Sequence, residues 1–472
     1  MHFGKLRCNL TRKESGMPYQ DQKFQDSTTC HGNQLREAIQ WLVPPKTFAD
    51  VQFRQDCSWT PWLLAAAAML WAWSDETALG ERFRSVRQVI RNSFGAQQEL
   101  AGSYQALLKM LVRWTATLKD RLVLALRRHM KRRFRRNTVA GWTIFGVDGS
   151  RIELARTVSN ETSYCPLSAL GKRRRNRSSR QTKADRKKAS NPQMWITTMW
   201  CCSLGLPWDW RSGRCDSSER AHLLEMIPGL PAGTLVTADA GFVGYDYWAA
   251  LLKAEHPFVI RVGSNVKLLK KLGYVREREG LVYLWPDATA AKGKLPLVLR
   301  LVVVQGGKHP VYLVTSILNS RELSDTNVAR IYRLRWGVEV YYRNFKQTFS
   351  YRKLRSHKAE HAQVELDWAM AGLWAACLYA QHCGRVPPRQ LSVAAVLRAF
   401  RRTIRHATPP DDEATLSGLL KLAFVDSYVR KDKSSRDYPR KKQDQPPGRP
   451  KILTATASQK RLARKLKELE KG

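Results

Sequence analysis

The sequence predicts an α/β protein, with a mixed β-sheet flanked by helices and a helical domain in front of it. Apolar residues recur at helical spacing up to about residue 136. From Trp142 the pattern becomes extended, with short apolar runs bounded by turn residues. Between about residues 190 and 350 such runs alternate with helical segments. Alternation of this kind is typical of a sheet covered by helices.

Charge is the strongest compositional feature. The 472 residues include 81 Lys and Arg but only 40 Asp and Glu, a formal net charge of +41. This length allows roughly two to four domains, and so large a cationic excess implies a polyanionic partner. Phosphate backbones release counterions when cations neutralise them, which favours nucleic acid. An anionic membrane surface is the alternative partner.

Several classes of protein are not favoured. The nine cysteines form no C-x-x-C pair, so buried thiols in a reducing cytosol are expected rather than a structural zinc site. The first residues lack the apolar stretch of a signal peptide. The apolar runs at 62–73 and 368–380 are shorter than the ~20 residues that a membrane-spanning helix needs. Both runs therefore predict buried helices of a protein that does not enter a membrane.

The first part of the chain reads as helical. Residues 1–55 are predicted to be irregular apart from a short helix at 34–42, and Thr60 with Pro61 predicts the start of an apolar helix. Further helices are expected at 81–93 and 96–136. The last one ends in ten residues, 127–136, that are mostly Arg and Lys. This end either binds phosphates or is only a soluble helix terminus.

The first candidate acid follows an extended segment. Residues 142–154 predict a strand, a tight turn at Asp148-Gly149-Ser150 and a second strand. Asp148 is then either a turn residue or an acid at a strand end. After it, residues 171–190 carry many cations and one acid. They predict an arm that orders on a polyanion, or a solvated insertion. A buried strand at 194–204 and a short helix at 217–226 follow.

The second candidate acid ends another strand. Residues 234–240 read as a central strand that carries Asp239 near its end, followed by Gly241 and a helix at 245–255. Open sheets place their sites at the carboxyl ends of strands before helices. Asp239 is therefore a candidate site residue, with a helix cap or turn as the alternative.

The third candidate acid lies on a predicted helix at residues 324–350, with Ser324 as its N-cap. At about 100° per residue, Ile331, Val338 and Phe345 form an apolar stripe. Four polar side chains fall within roughly 60° of one another along its edge: Tyr332, Arg335, Glu339 and Lys346. That arrangement suits a carboxylate that binds a divalent metal while the cations and the phenol hold phosphates. An ordinary i,i+4 ion pair of Arg335 with Glu339, contributing about 0.2–0.5 kcal/mol, is the alternative.

The order Tyr332, Arg335, Glu339 and Lys346, with two, three and six residues between them, resembles the third-motif helix of DDE transposases of bacterial insertion sequences. Asp239 followed by Gly241-Phe242 resembles their second motif, although Ala240 stands where many members have Arg. The resemblance covers about residues 142–361 and implies a ribonuclease-H-like fold. It implies metal-binding roles for Asp148, Asp239 and Glu339, and DNA contacts near the transposon end for Tyr332, Arg335 and Lys346.

Residues 264–315 contain further extended runs and resemble the β-rich insertion that this branch carries between its second Asp and its Glu. Some relatives place a base-trapping aromatic in it. Tyr312 or Trp285 would serve that role here, unless each is only a packed strand aromatic.

The last third of the chain predicts a buried helix at 366–382, a linker at 431–450 and a charged amphipathic helix at 458–470. Residues 447–451 look like half of an AT-hook, a motif whose arginines enter narrow minor grooves. The predicted division is an irregular segment (1–55), a helical DNA-binding domain (56–138), the catalytic domain (139–385, with its insertion at 264–318), a helical part (386–430) and a basic tail (431–472).

The predicted chemistry follows from the three acids. In-line displacement at phosphorus builds charge on two oxygens, and two divalent ions about 3.5–4 Å apart stabilise both. Carboxylates without His or Cys imply Mg²⁺ or Mn²⁺. We expect a transposase that acts on element ends and target DNA in the bacterial cytoplasm, at the nucleoid, as a homodimer. The alternatives are an inactive DNA-binding derivative and a ribonuclease-H-like nuclease without strand transfer.

Overall fold

The computed structural model describes residues 26–94, 102–166, 191–305, 309–384, 390–405, 415–423 and 448–470. The predicted basic arm at 171–190 lies outside the described residues, as does nearly all of the linker at 431–450.

Within the described part of the chain, ten strands form one sheet in the order β10-β6-β7-β8-β9-β5-β4-β1-β2-β3. Their bounds are β1 (Thr143–Glu153), β2 (Gln193–Cys201), β3 (Leu206–Arg214), β4 (Thr234–Ala238), β5 (Phe258–Val262), β6 (Lys267–Lys270), β7 (Leu281–Leu284), β8 (Leu297–Val304), β9 (Val311–Thr315) and β10 (Lys451–Thr454).

Five of these strands make up the centre of the protein. β1, β2 and β3 form an antiparallel meander, and β4 and β5 continue the sheet parallel to β1. The order 3-2-1-4-5 with this mixture of directions is the ribonuclease-H-like arrangement. Helices flank the sheet, so the predicted fold class is confirmed.

The helices are α1 (Asp26–Leu42), α2 (Pro61–Trp73), α3 (Leu79–Ser93), α4 (Tyr104–Lys131), α5 (Val158–Tyr164), α6 (Glu219–Met226), α7 (Tyr245–Lys253), α8 (Asp287–Ala290), α9 (Asp325–Leu334), α10 (Trp336–Arg343), α11 (Ala359–Gly384), α12 (Val393–Ile404), α13 (Leu416–Lys421) and α14 (Ala457–Leu469). The first helix is longer than predicted, because it begins before residue 34.

The predicted turn at Asp148-Gly149-Ser150 is wrong. β1 runs without interruption through these residues, and Asp148 pairs with Thr198 of β2. The two strands stay in register over nine consecutive residue pairs. A long partner strand thus keeps an Asp-Gly sequence extended, although that dipeptide favours a hairpin in isolation.

Two apolar helices lie at the centre of the helical layer. The Thr60 side chain caps α2 as predicted, by accepting a hydrogen bond from the Leu63 backbone N–H. α2 packs on α11, where the Trp73 indole donates a 2.7 Å hydrogen bond to the Gly372 carbonyl. Both predicted apolar runs are therefore buried helices. The described residues contain no helix that is long and apolar enough to cross a membrane.

The predicted helix at 324–350 is present as consecutive helical segments, and the backbone stays helical at Arg335 between the first two. α9 ends before Arg335, α10 begins after it, and a π-helical turn at Asn344–Thr348 follows α10. The Ser324 side chain caps α9 as predicted. The predicted apolar stripe is confirmed, because Ile331, Val338 and Phe345 are fully buried.

The β-rich insertion does not form a separate sheet. β9 pairs with β5, so β6 to β9 extend the central sheet outward. The C-terminal strand β10 then pairs in parallel with β6 at the outer edge. β6 lies in the stretch 264–315 that was predicted to be extended, whereas β3 and β10 are mixed in polarity and were not predicted from the sequence.

A second apolar cluster, here called the outer core, lies at that edge. Its buried members are Leu269, Leu272, Tyr274, Leu281, Tyr283, Trp285, Ala290, Ala455 and Ala463. The predicted amphipathic helix at 458–470 is present as α14, and it packs onto this cluster. Trp285 is buried, and its indole donates to the Lys294 carbonyl. This favours the packed alternative over base trapping for Trp285.

Candidate active site

Asp148 and Asp239 lie near each other on neighbouring parallel strands, Asp148 within β1 and Asp239 directly after the last residue of β4. β1 and β4 pair from Thr143 with Thr234 onward, an offset of 91 residues (234 minus 143). Asp148 and Asp239 are also 91 residues apart (239 minus 148). Extending the strand register past its last pair therefore brings these two acids opposite each other.

A backbone amide holds one oxygen of each aspartate. The Gly149 N–H donates to Asp148 Oδ1 at 2.8 Å, and the Gly241 N–H donates to Asp239 Oδ1 at 2.8 Å. Asp239 thereby caps the short 3₁₀ turn Ala240–Phe242. Asp239 therefore acts as a cap, which was the alternative considered from the sequence. Capping uses only one of its two carboxylate oxygens.

Glycines let α10 approach the sheet closely. A Cβ atom on Gly146 of β1 would lie 2.9 Å from Cys202 Sγ and 3.7 Å from Arg335 Cα. A Cβ atom on Gly337 of α10 would lie 3.0 Å from the Trp200 indole nitrogen. Larger residues at either position would push α10, and Glu339 with it, away from β1.

Tyr342 anchors α10 to both central strands. Its hydroxyl lies 3.1 Å from the Asp148 carbonyl oxygen, 3.2 Å from the Ile196 carbonyl oxygen and 2.9 Å from Thr198 Oγ1. Tyr342 lies about one helical turn after Glu339 on α10. Helical periodicity does not reveal this role of Tyr342, because its partners come from distant strands.

Arg335 bridges two of the acids. Its Nη2 donates to Glu339 Oε1 at 2.7 Å, and its Nη1 lies 3.4 Å from Asp148 Oδ2. The exposed fractions of these side chains are 11% for Arg335, 19% for Asp148 and 33% for Glu339. The i,i+4 ion pair considered from sequence is present, and it is part of a three-residue network that joins α10 to β1.

The other two residues of the third motif lie nearby. The Lys346 ammonium donates a 2.7 Å hydrogen bond to Ser150 Oγ, and burial lowers the pKa of this lysine. The Arg335 guanidinium carbon lies 5.6 Å from the centre of the Tyr332 ring. Arg335, Glu339 and Lys346 therefore all lie against residues 148–150 of β1, directly or through one another.

The site carries more negative than positive charge. Burial raises the pKa of Asp148 to about 6; Arg335 opposes this rise, while Asp239 and Glu339 add to it. An acid with so high a pKa is in a poorly solvated, anionic setting. Such a setting favours a bound cation.

Sequence reasoning missed a fourth acid. Glu219 is the first residue of α6, and burial raises its pKa, with a further rise from the carboxylates of Asp148 and Asp239. It lies in a segment that was predicted to be helical but had no recognisable motif. Only the position of α6 over β1 reveals that Glu219 is near the other acids.

A divalent cation fits the chemistry of these donors. The acids present hard carboxylate oxygens, which Mg²⁺ and Mn²⁺ prefer. Among the residues that the structure describes, no three His, Cys, Asp or Glu side chains converge closely enough to hold an ion. The Arg335 guanidinium is instead the cation in contact with Asp148 and Glu339. Rotation of the Arg335 side chain would free one carboxylate oxygen of Asp148 and one of Glu339.

Acids at the carboxyl edge of a ribonuclease-H-like sheet, with a further acid on a helix packed across it, define a class of enzymes that act on phosphodiesters. Residues 201–374 match the family described as "Transposase DDE domain". The match includes Asp239 and Glu339 and begins after Asp148. Residues 201–374 of this chain are therefore similar to a transposase DDE domain.

Two curated relatives agree with this assignment. The chain is 29% identical over 149 residues to "Putative transposase y4zB" of Sinorhizobium fredii, covering 30% of this chain and 41% of the relative. It is 26% identical over 235 residues to "Transposase InsG for insertion sequence element IS4" of Escherichia coli, covering 44% and 52%. The chain thus spans about half the length of the curated relatives it matches.

A solved structure of the piggyBac transposase synaptic complex with hairpin DNA aligns with 91% of this chain and 82% of its own. The identity is 12% and the TM-score is 0.36. So low a score supports no inference about this protein.

Proposed function

We propose that this protein is the DNA transposase of a bacterial insertion sequence, which cleaves DNA at inverted-repeat ends and joins the freed ends to target DNA. The main support is the shared 91-residue offset that brings Asp148 beside Asp239, in a chain whose residues 201–374 are similar to a DDE domain. Glu339 reaches the same place on α10, through Arg335.

In this proposal Asp148, Asp239 and Glu339 hold two Mg²⁺ or Mn²⁺ ions. When bound, the ions stabilise negative charge on the attacking and leaving oxygens of the phosphodiester. Asp148 and Asp239 would offer their ligands from fixed positions, because a backbone amide orients each carboxylate. Pre-set orientation of this kind lowers the cost of assembling the site.

Arg335, Lys346 and Tyr332 are the proposed DNA contacts. Arg335 balances the acids in the free protein and would turn to a phosphate oxygen when DNA and metal bind. A guanidinium suits this role, since it can hold a phosphate through two parallel hydrogen bonds. Lys346 would hold the DNA strand beside Ser150, and Tyr332 would pack next to that DNA strand.

Double-stranded DNA is the proposed partner, as element ends and as target. The net charge of +41 supports a polyanionic partner. Exposed cations also lie near the site: Arg151 and Arg220 beside Glu219, and Arg352 beside Lys346. The proposed assembly is a homodimer that bridges two ends, and the proposed location is the bacterial cytoplasm, at the nucleoid.

The decisive test is strand cleavage of DNA that carries the element's own ends, in the presence of Mg²⁺. Asp148→Asn, Asp239→Asn and Glu339→Gln should each lower the cleavage rate by at least about a hundredfold, since each removes one anionic ligand. Asp246→Asn is the matched control, because Asp246 lies on α7 with 80% of its side chain exposed. It should cleave at the wild-type rate.

Other outcomes point to the alternatives. Cleavage that persists in all three variants would remove the assigned roles. A wild-type protein that binds the ends without cutting them, with either Mg²⁺ or Mn²⁺, would be an inactive DNA-binding derivative. Cutting without any joined product would indicate a nuclease that lacks strand transfer.

A further inference from the structure

Glu219 occupies an unusual position for the first residue of a helix. Ser218 caps α6, and the Glu219 side chain then extends over Gly149, the residue after Asp148. A Cβ atom on Gly149 would lie 1.9 Å from Glu219 Oε1 and 2.6 Å from its carboxylate carbon. The carboxylate therefore rests directly on the backbone of β1, in space that only a glycine leaves open.

The same carboxylate also faces the Asp239 loop. The Cβ position of Gly241 lies 3.0 Å from Asp239 Oδ1 and 3.9 Å from Glu219 Oε2. Arg220, the next residue of α6, donates a 3.0 Å hydrogen bond to the Gly241 carbonyl and ties α6 to this loop. Glu219 thus lies between the two segments that carry Asp148 and Asp239.

This placement is unfavourable for a carboxylate without a cation. Burial raises the pKa of Glu219 to about 7; Asp148 and Asp239 raise it further, and Arg220 and Arg151 only partly oppose them. Within the described part of the chain, the Glu219 carboxylate accepts no hydrogen bond and forms no ion pair. Acids at helix starts usually gain from the helix dipole, but an exposed position would provide that gain without the repulsion.

We propose that Glu219 is a fourth carboxylate ligand of the metal centre, sharing a divalent ion with Asp148 and Asp239. This inference rests on the proposed function, because it assumes a metal between those two aspartates. It adds a ligand from α6 to those from β1, β4 and α10. A bound ion would also offset the repulsion among these carboxylates.

Binding of Mn²⁺ to the full chain without DNA, followed by electron paramagnetic resonance, tests the proposal. Glu219→Gln should weaken Mn²⁺ binding at least tenfold. Glu225→Gln is the matched control, because Glu225 lies on the same helix with its carboxylate exposed and paired with Arg211. It should bind Mn²⁺ as the wild type does.

Two negative results have different meanings. If Asp239→Asn loses Mn²⁺ binding and Glu219→Gln keeps the wild-type affinity and stoichiometry, the fourth-ligand proposal is overturned and the proposed function stands. If Asp148→Asn, Asp239→Asn and Glu339→Gln all retain wild-type Mn²⁺ binding, the metal centre itself is wrong.

A second measurement separates a ligand from a structural residue. Glu219→Gln should raise the melting temperature in EDTA, because it removes repulsion, and should lower the further rise on adding Mn²⁺. Gly149→Ala should reproduce the weaker Mn²⁺ binding with Glu219 still present, because its methyl group displaces the carboxylate. A residue needed only for folding would instead lower the melting temperature in both conditions, which would overturn the proposal.

Discussion

Two regions of the sheet are built on opposite physical principles: the carboxylate site beside β1 and β4, here called the acidic end, and the outer core at the β10 edge. At the acidic end, the carboxylates of Asp148, Asp239, Glu339 and Glu219 lie near one another, and the buried Arg335 guanidinium contacts only two of them, Asp148 and Glu339. At the outer core, apolar side chains are buried together and the polar tips find partners. The Tyr274 hydroxyl donates to Glu470 at 2.8 Å, and Lys467 donates to the Tyr274 carbonyl at 2.6 Å.

The outer core therefore stabilises the fold, whereas the acidic end destabilises it when no cation is bound. Burial of apolar area at the outer core stabilises the fold by about 25 cal/mol per Å². Burial of like charges at the acidic end costs free energy until a cation arrives. The two regions should therefore respond in opposite ways to metal, to pH and to mutation.

The largest expected effect is a charge placed in the outer core. Ala463 of α14 is fully buried there, so Ala463→Asp should destabilise the docking of β10 and α14 by about 3 kcal/mol or more. Hydrogen exchange should then show lost protection in residues 451–469. Ala457→Asp is the control, because Ala457 is exposed at the start of the same helix. Protection that stays at the wild-type level in Ala463→Asp would show that the tail does not depend on this core.

A smaller effect is expected from pH, and only at the acidic end. The pKa of Asp148 is about 6 and that of Glu219 about 7, both above their ordinary values. The folded state therefore binds more protons than the unfolded state between about pH 4 and pH 7. Stability of the metal-free protein should fall as pH rises through this window, by about 1–2 kcal/mol after screening.

Urea unfolding in EDTA at several pH values measures this effect. Buried histidines such as His256, whose pKa is lowered by burial, act in the opposite direction. The informative quantity is therefore the difference in slope between wild type and Asp148→Asn, which should be less steep. Equal slopes would contradict the raised pKa of Asp148.

The smallest effects are expected from removing either of two tyrosine hydroxyls. Tyr342→Phe removes a buried hydroxyl that contacts β1 and β2, and should destabilise the protein by about 1 kcal/mol. It should also slow DNA cleavage, since α10 carries Glu339. Tyr274→Phe removes the hydroxyl bonded to Glu470 near solvent, and should cost less than about 0.5 kcal/mol with no change in cleavage. Equal effects of the two variants on cleavage would contradict the anchoring role of Tyr342.

Local pattern was enough to predict most elements. Caps at Thr60 and Ser324, the apolar stripe through Ile331, and the runs that became β4, β5, β8 and β9 all carry their signal within a few residues. Three of the four acids near the centre were also candidates from the sequence: Asp239 and Glu339 lie in recognisable short motifs, and Asp148 follows an extended run. Glu219 has no such motif, and its neighbours come from other parts of the chain.

What the sequence alone determined about this protein is its basic charge, its alternation of strands and helices, and the spacing of Asp148, Asp239 and Glu339. The tertiary structure decided that β1 continues through Asp148, that the Arg335 side chain bridges two acids, and that β10 closes the far edge. The reason is that periodicity and capping act within one or two turns of chain. Strand pairing, close approach at glycine and the sum of buried charges depend on residues far apart in the chain, for example 50 positions for Asp148 and Thr198 (198 minus 148) and 187 for Asp148 and Arg335.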